Sequence, residues 1–269
     1  MNDSRPALAA VVLAGQSINQ EDPLIEYAQG GPKALIPIAG RSMVAYVLEA
    51  LAQSRAIDQI VMVGVLPEIA LPPRPPVDLV PCQGELIPNV VRGIERALEL
   101  APGLEGVLIT GSDLPLLTPA IVDQFIASCL ETDHDAYYGV VERSVMEARF
   151  PTSRRTYVRL ADGEFAGGDL LLLRQGAARL NRALWDRLAG ARKNPLRQIW
   201  MLGGPGPVLK LLTRRMSLAE AEARASAAFD VRARVIVCPH PELGMDVDKP
   251  CQLEIVAAEL EARGVIASG

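Results

Sequence analysis

The chain has 269 residues, 49% of them hydrophobic and 22% charged, enough for one large core or two small ones. A net charge of −5 and a pI near 5.2 exclude a globally basic nucleic-acid-binding surface, so an anionic substrate must be met by local positive charge. Four scattered cysteines with no CxxC, and only two histidines, argue against a zinc centre and for reduced thiols. No apolar run reaches the length of a membrane span. Met1–Pro6 is short and polar and lacks the features of an export signal, so a cytoplasmic protein is expected.

In chain order, Leu8–Leu13 is an apolar run without polar alternation, which predicts a strand covered on both faces. It ends in the small-residue turn Ala14-Gly15, and residues 16–32 read as loop. Arg41–Ser54 carries helical spacing at Val44, Val47, Leu48 and Leu51. Ile57–Val65 predicts a second buried strand and Val77–Val80 a short third. Leu86–Leu100 predicts a helix, and Gly106–Thr110 a fourth strand running into Gly111-Ser112-Asp113-Leu114-Pro115. Thr118-Pro119 is a helix start, a capping hydroxyl followed by proline at the first position. This alternation predicts an α/β fold with a mainly parallel sheet flanked by helices on both faces.

The second half changes character. Ala136–Val141 and Thr156–Leu160 predict strands, and Asp162-Gly163 a hairpin turn. Gly167-Gly168-Asp169 precedes the apolar run Leu170–Leu173. From Ala177 to Leu212 the pattern is mostly helical, broken at Gly203–Pro207. Ser217 with Glu220 fits a capping box for a helix ending near Phe229. Val231–Val237 predicts the last strand and Pro250–Arg263 a C-terminal helix. With no repeat and no long linker, residues 1–269 read as one domain. The block 177–229 could be a helical subdomain inserted before the last strand.

Open α/β sheets bind ligands beyond the carboxyl ends of their strands. Backbone donors at Gly15 beside a proline-placed lysine, Lys33, form a plausible phosphate cradle. Asp113 and Asp248 each follow an apolar strand and would meet at one sheet edge. Two carboxylates there suit a hard cation that also touches substrate phosphates. Asp246 could assist or could cap the C-terminal helix.

These motifs together are more specific than any one. Leu13-Ala14-Gly15 with Pro32-Lys33-Ala34-Leu35, then Ser112-Asp113-Leu114-Pro115-Leu116, then Asp246-Val247-Asp248-Lys249-Pro250, occur in this order across most of the chain. The set resembles the MobA-like and sugar-phosphate nucleotidyltransferase superfamily. The resemblance implies a glycosyltransferase-A-like (Rossmann-like) fold. It also implies Mg²⁺-dependent transfer of a nucleotidyl group from a nucleoside triphosphate to a phosphorylated small molecule. On that resemblance Lys33 is catalytic and Asp113 and Asp248 hold Mg²⁺. Leu13, Ala14, Gly15, Gln16, Gln83, Gly84 and Asn89 bind the nucleotide, and Gly168 and Asp169 face the acceptor, with Asp169 where asparagine is usual. Arg149, Arg154 and Arg155 could meet an acceptor phosphate or serve surface salt bridges.

One departure stands out. Between Gly15 and Lys33 there is no arginine, where the resemblance implies one that grips the triphosphate, and Glu21, Asp22 and Glu26 lie there instead. Two further readings stay open. One is a metal-dependent glycosyltransferase using Asp246-Val247-Asp248; the other is a nucleotide-binding protein without turnover. The dinucleotide fingerprint G-x-G-x-x-G is missing after the first strand, and so is the Walker motif. Neither nucleic acid nor a membrane is expected as a partner, and the oligomeric state stays open.

Overall fold

The computed structural model describes residues 7–15, 22–64, 69–178 and 205–264. Its strands are β1 (Leu8–Leu13), β2 (Gln59–Val63), β3 (Val77–Val80), β4 (Gly106–Gly111), β5 (Ala136–Glu142), β6 (Val158–Leu160), β7 (Gly163–Arg174) and β8 (Ala233–Cys238). Its longer helices are α1 (Met43–Gln53), α2 (Leu86–Leu100), α3 (Pro119–Leu130), α4 (Arg143–Arg149), α5 (Pro205–Leu212), α6 (Leu218–Phe229) and α7 (Pro250–Ala262).

These eight strands join one sheet in the order β8-β5-β7-β4-β1-β2-β3, with β6 pairing to β7, and among the described residues Pro37–Ile38 and Arg41–Ser42 form a separate two-stranded sheet. β4, β1, β2 and β3 run parallel, as do β5 and β8. β7 lies between these two groups and is antiparallel to both β4 and β5. The fold is thus mixed and mostly parallel, as the alternating pattern predicts.

Because successive side chains in a strand point to opposite faces, β1 feeds two cores. Leu8, Ala10 and Val12 join α1, α3 and α7 on one face, while Ala9 and Val11 join α2 on the other. Each fully buried Val, Leu or Ile contributes about 1.5–3 kcal/mol. That gain holds the layers together.

Several boundaries differ from the sequence reading. The first long helix begins at Met43, because Arg41-Ser42 pairs antiparallel with Pro37-Ile38. The last strand before the hairpin begins at Val158, not Thr156. Thr118 caps α3 as expected, its Oγ1 accepting from the Ile121 amide at 3.3 Å. Ser217 likewise accepts from Glu220 N at 3.1 Å. Glu220's carboxylate turns instead to Arg224 and Lys210. The break expected through Gly203–Pro207 lies partly inside α5, which begins at Pro205; proline is tolerated in a first turn. Of the helical block expected over 177–229, residues 179–204 lie outside the described residues. No described helix is long and apolar enough to cross a membrane.

Candidate functional site

The carboxyl ends of β1 and β4 open onto one place. After β1 the chain returns through a 3₁₀ turn, Lys33–Leu35, set by the extended backbone of Pro32. Lys33 is buried there, and its Nζ reaches Asp113 Oδ2 at 2.9 Å and Asp248 Oδ1 at 2.5 Å. The residues that the sequence analysis singled out from three remote segments thus converge on one ammonium group.

Backbone bonding fixes this convergence. The Val247 amide donates to the Asp113 carbonyl at 2.9 Å, so the segment after β8 lies against the end of β4. The Asp248 amide donates to Gln252 Oε1 at 2.9 Å, and Gln252 Nε2 donates to the Ser153 carbonyl at 3.2 Å. Gln252 is buried on the first turns of α7 and ties the Asp248 loop to the loop after α4.

Electrostatics follow from this packing. Burial alone would lower the Lys33 pKa, but the Asp113 and Asp248 carboxylates outweigh it and raise the pKa, so Lys33 stays charged. Burial opposes ionisation of Asp248 too, yet hydrogen bonding with Asp246 and the Lys33 charge hold its carboxyl below the usual range. Burial pushes Asp246 up, aided by Asp248 and Asp169, while the Arg155 guanidinium pulls it down. Asp246 forms an ion pair with Arg155 and does not cap α7, whose N-cap position is Lys249.

Asp169 joins this cluster by an irregularity in β7. Tyr138 of β5 pairs with Leu171 and Val140 with Gly167, so Gly168–Leu170 bulge opposite Gly139. At the bulge Asp169 takes φ 44°, a left-handed conformation that Asn and Asp tolerate better than most residues. Bulges re-aim side chains beside functional sites. Burial and the Asp113 charge push the Asp169 carboxyl up to about 6. Gly168 itself packs against Leu243 and the Gly139 carbonyl, and supplies no group to the cluster beyond its backbone.

On the nucleotide side, Leu13 belongs to the sheet, and the Ala14 amide is taken by the Val63 carbonyl at 2.9 Å. Donors for an anion must therefore come from Gly15 onward. Gln16 lies outside the described residues, as do positions 17–21 of the loop that lacks an arginine; Glu26 is described and exposed. Gln83, Gly84 and Asn89 gather beside Gly15. Asn89 is buried, its Oδ1 accepting from the Gln83 amide at 2.6 Å, and the Gln83 side chain turns to the Pro81 carbonyl. Cys82 links the two segments, donating from Sγ to the Gly15 carbonyl at 3.0 Å and accepting from the Gly84 amide at 3.3 Å. A Cβ on Gly15 would stand 2.7 Å from that sulfur, so glycine is required for this approach.

Four residues of the site escape sequence reasoning: Gln252, Cys82, Arg155 in its pairing with Asp246, and Tyr138. The Tyr138 hydroxyl is pushed up to about 12 by burial and by the charges of Asp169 and Asp246. Only the polar residue at an otherwise apolar helix position hints at Gln252. Of the basic cluster, Arg149 turns away to Glu259.

Among the described residues, no three His, Cys, Asp or Glu side chains are arranged as a metal centre. Asp113 and Asp248 offer two hard oxygen donors around one cationic group. That donor set suits a Mg²⁺ ion completed by substrate phosphates rather than a zinc or calcium cage.

Comparison with known proteins agrees with the geometry. The sequence profile of the MobA-like NTP transferase domain matches residues 10–193. A hypothetical transferase from Thermus thermophilus is 39% identical with a TM-score of 0.78, covering 93% of this chain and 100% of that one. Two more distant structures share the fold alone. A 4-diphosphocytidyl-2C-methyl-D-erythritol synthase from Anaerococcus prevotii has a TM-score of 0.56 at 11% identity, covering 95% of this chain and 96% of that one. A CMP:2-keto-3-deoxy-manno-octonic acid synthetase solved in complex with CTP has a TM-score of 0.54 at 14% identity, covering 97% and 100%. No curated protein matches the chain significantly. With a profile match over most of its length and a Rossmann-like nucleotidyltransferase fold, the chain belongs to the MobA-like NTP transferase family.

Proposed function

We propose that the protein transfers a nucleotidyl group from a nucleoside triphosphate to a phosphorylated small-molecule acceptor. An acceptor oxygen forms a bond to the α-phosphorus, the bond to the bridging oxygen breaks, and pyrophosphate leaves. The observation that carries this reading is the Lys33 ammonium held between Asp113 and Asp248 at the carboxyl edge of the sheet. Charge accumulates on phosphate oxygens in such a transfer, and preorganised cations stabilise it without reorganisation. Lys33 supplies one such charge, fixed by burial. Mg²⁺ held by Asp113 and Asp248 would neutralise the phosphates further. The Gly15 turn would receive the triphosphate, Gln83, Gly84 and Asn89 would shape the base pocket, and Gly168 and Asp169 would face the acceptor.

Thermal stabilisation by each of the four NTPs, with and without Mg²⁺, tests the reading. One NTP should raise the melting temperature only when Mg²⁺ is present, and pyrophosphate should appear with a competent acceptor. Asp113→Ala should abolish the metal-dependent stabilisation and lower turnover by about 10²-fold or more. Full metal-dependent binding by that variant would remove Asp113 from the site.

A further inference from the structure

Behind the Lys33–Asp113–Asp248 cluster lies a groove of about 490 Å³, within the range that holds a small-molecule ligand. Its lining includes Arg143, Arg154, Arg155, Arg159, Ser153 and Tyr157; Lys33, Asp113 and Asp248 do not reach it. Arg155 is the partition, since it lines the groove and its guanidinium also pairs with Asp246 two residues before Asp248. The side chains of Arg155 and Asp246 are only 11% and 8% exposed, so this guanidinium is held in place between the two.

The charge of the groove does not cancel. Arg143 and Arg159 share Glu164, Arg143 also meets Glu147, and Arg155 meets Asp246. Four guanidinium groups against three carboxylates leave one positive charge. Among the described residues, the guanidinium of Arg154 has no ion-pair partner. Arg154 sits at φ 50°, outside the conformations a β-carbon prefers, and Lys249 holds its carbonyl at 2.8 Å. The neighbouring Ser153 carbonyl is held by Gln252. The loop is thus tethered twice to the segment that carries Asp248, in a shape that keeps Arg154 at the groove. Arg143 in turn stacks on the Tyr157 ring, 5.3 Å from its centroid, and both side chains line the groove.

We infer that this groove is a second anion site, which takes a non-reacting oxyanion of the acceptor while the acceptor's nucleophilic end lies at Asp113 and Asp248. The acceptor is then a two-ended molecule, its attacking oxygen separated from a phosphate or carboxylate by the width of Arg155. The anion site stands on the groove alone; its assignment to the acceptor rests on the nucleotidyl-transfer reading. Planar guanidinium forks match both oxyanions.

Inorganic phosphate and succinate, titrated separately by calorimetry into the full chain, test the inference. At least one should bind. Arg154→Ala should weaken it about tenfold or more, the loss of one charge-assisted contact. Arg159→Ala should weaken it less, Arg154→Lys should restore part of it, and Lys33→Ala should leave it largely intact. Preference for phosphate names a phosphate ester, and preference for succinate a carboxylate. Binding of neither probe overturns the inference, as does binding that survives Arg154→Ala but is lost in Lys33→Ala. Mg²⁺-dependent NTP stabilisation in a chain whose groove binds neither probe keeps the transferase reading and overturns this one. Groove binding sensitive to Arg154, with no stabilisation by any NTP, does the reverse.

Discussion

Gln252 shows how one side chain can govern a site that it never enters. It is 1% exposed, and its amide serves both the Asp248 N–H and the Ser153 carbonyl. A buried polar group left without a partner costs about 1–3 kcal/mol. Gln252→Ala should therefore lose about 2–4 kcal/mol in urea unfolding, and Gln252→Glu, which sets a buried carboxylate against the Ser153 carbonyl, should lose at least as much. A change below about 0.5 kcal/mol would show that water replaces the amide freely. The thiols give a second test at this scale. Burial pushes Cys238 up to about 11 and Cys129 higher still, whereas Cys82 is exposed. The thiolate is the reactive form, so a raised pKa means inertness below it. Iodoacetamide at pH 8 should label Cys82 first and spare Cys129 and Cys238, as peptide mass spectrometry would read. Because Cys82 braces Gly15, labelled protein should also lose stabilisation by its NTP.

Helix α2 sits so close to β1 that Gly93 has no room for a methyl group: a Cβ there would lie 2.4 Å from Val11 Cγ1 and 3.0 Å from Val63 Cγ2. Alanine favours a helix by about 1 kcal/mol over glycine, but overpacking costs about 1–3 kcal/mol. Gly93→Ala should be net destabilising in denaturant titration, and Val11→Ala should recover part of the loss in a double-mutant cycle. A stabilised Gly93→Ala would mean that α2 is free to shift. The elements themselves were largely legible. β1 and β4 announce themselves as uninterrupted apolar runs, and α3 by Thr118-Pro119, because burial and capping leave local signatures. Lys33, Asp113 and Asp248 were legible as a set because each follows a recognisable element. The β7 bulge at Asp169 was not, since a register slip depends on the partner strand. Nor was the Arg155–Asp246 pair, whose partners lie far apart in sequence and share no period. Asn89 was expected at the nucleotide on the resemblance alone, and only the fold shows its side chain turned inward to Gln83.

At the scale of the whole molecule, both ends of the sheet are fastened by ion pairs. Arg96 of α2 grips Asp78 of edge strand β3 through two nitrogens, and Arg232, just before edge strand β8, grips Asp135 at the start of β5. Hydrogen bonding to these arginines is the main cause that holds both carboxyls below their usual range. A depressed folded pKa gives stability that is present above the unfolded value, near 3.8, and lost as pH falls through the lower folded one. Melting temperature should therefore drop below about pH 4, and Arg96→Ala and Arg232→Ala should each flatten that drop by lowering the melting temperature modestly at pH 7 while changing it little below about pH 3. An unaltered acid limb in both variants would show that the edges are not held this way. The antiparallel strand β7 has a further consequence, for how the site is held together. β1, β2 and β4 can pair among themselves with helical crossovers alone, but β5 touches that group only through β7. The two parallel groups are therefore joined within the sheet through β7 alone, along its edges with β4 and β5. Asp169 stands beside Asp113 only while β7 is paired with β4, so the candidate site depends on a strand that runs against its neighbours, and any slip of that pairing would disperse it.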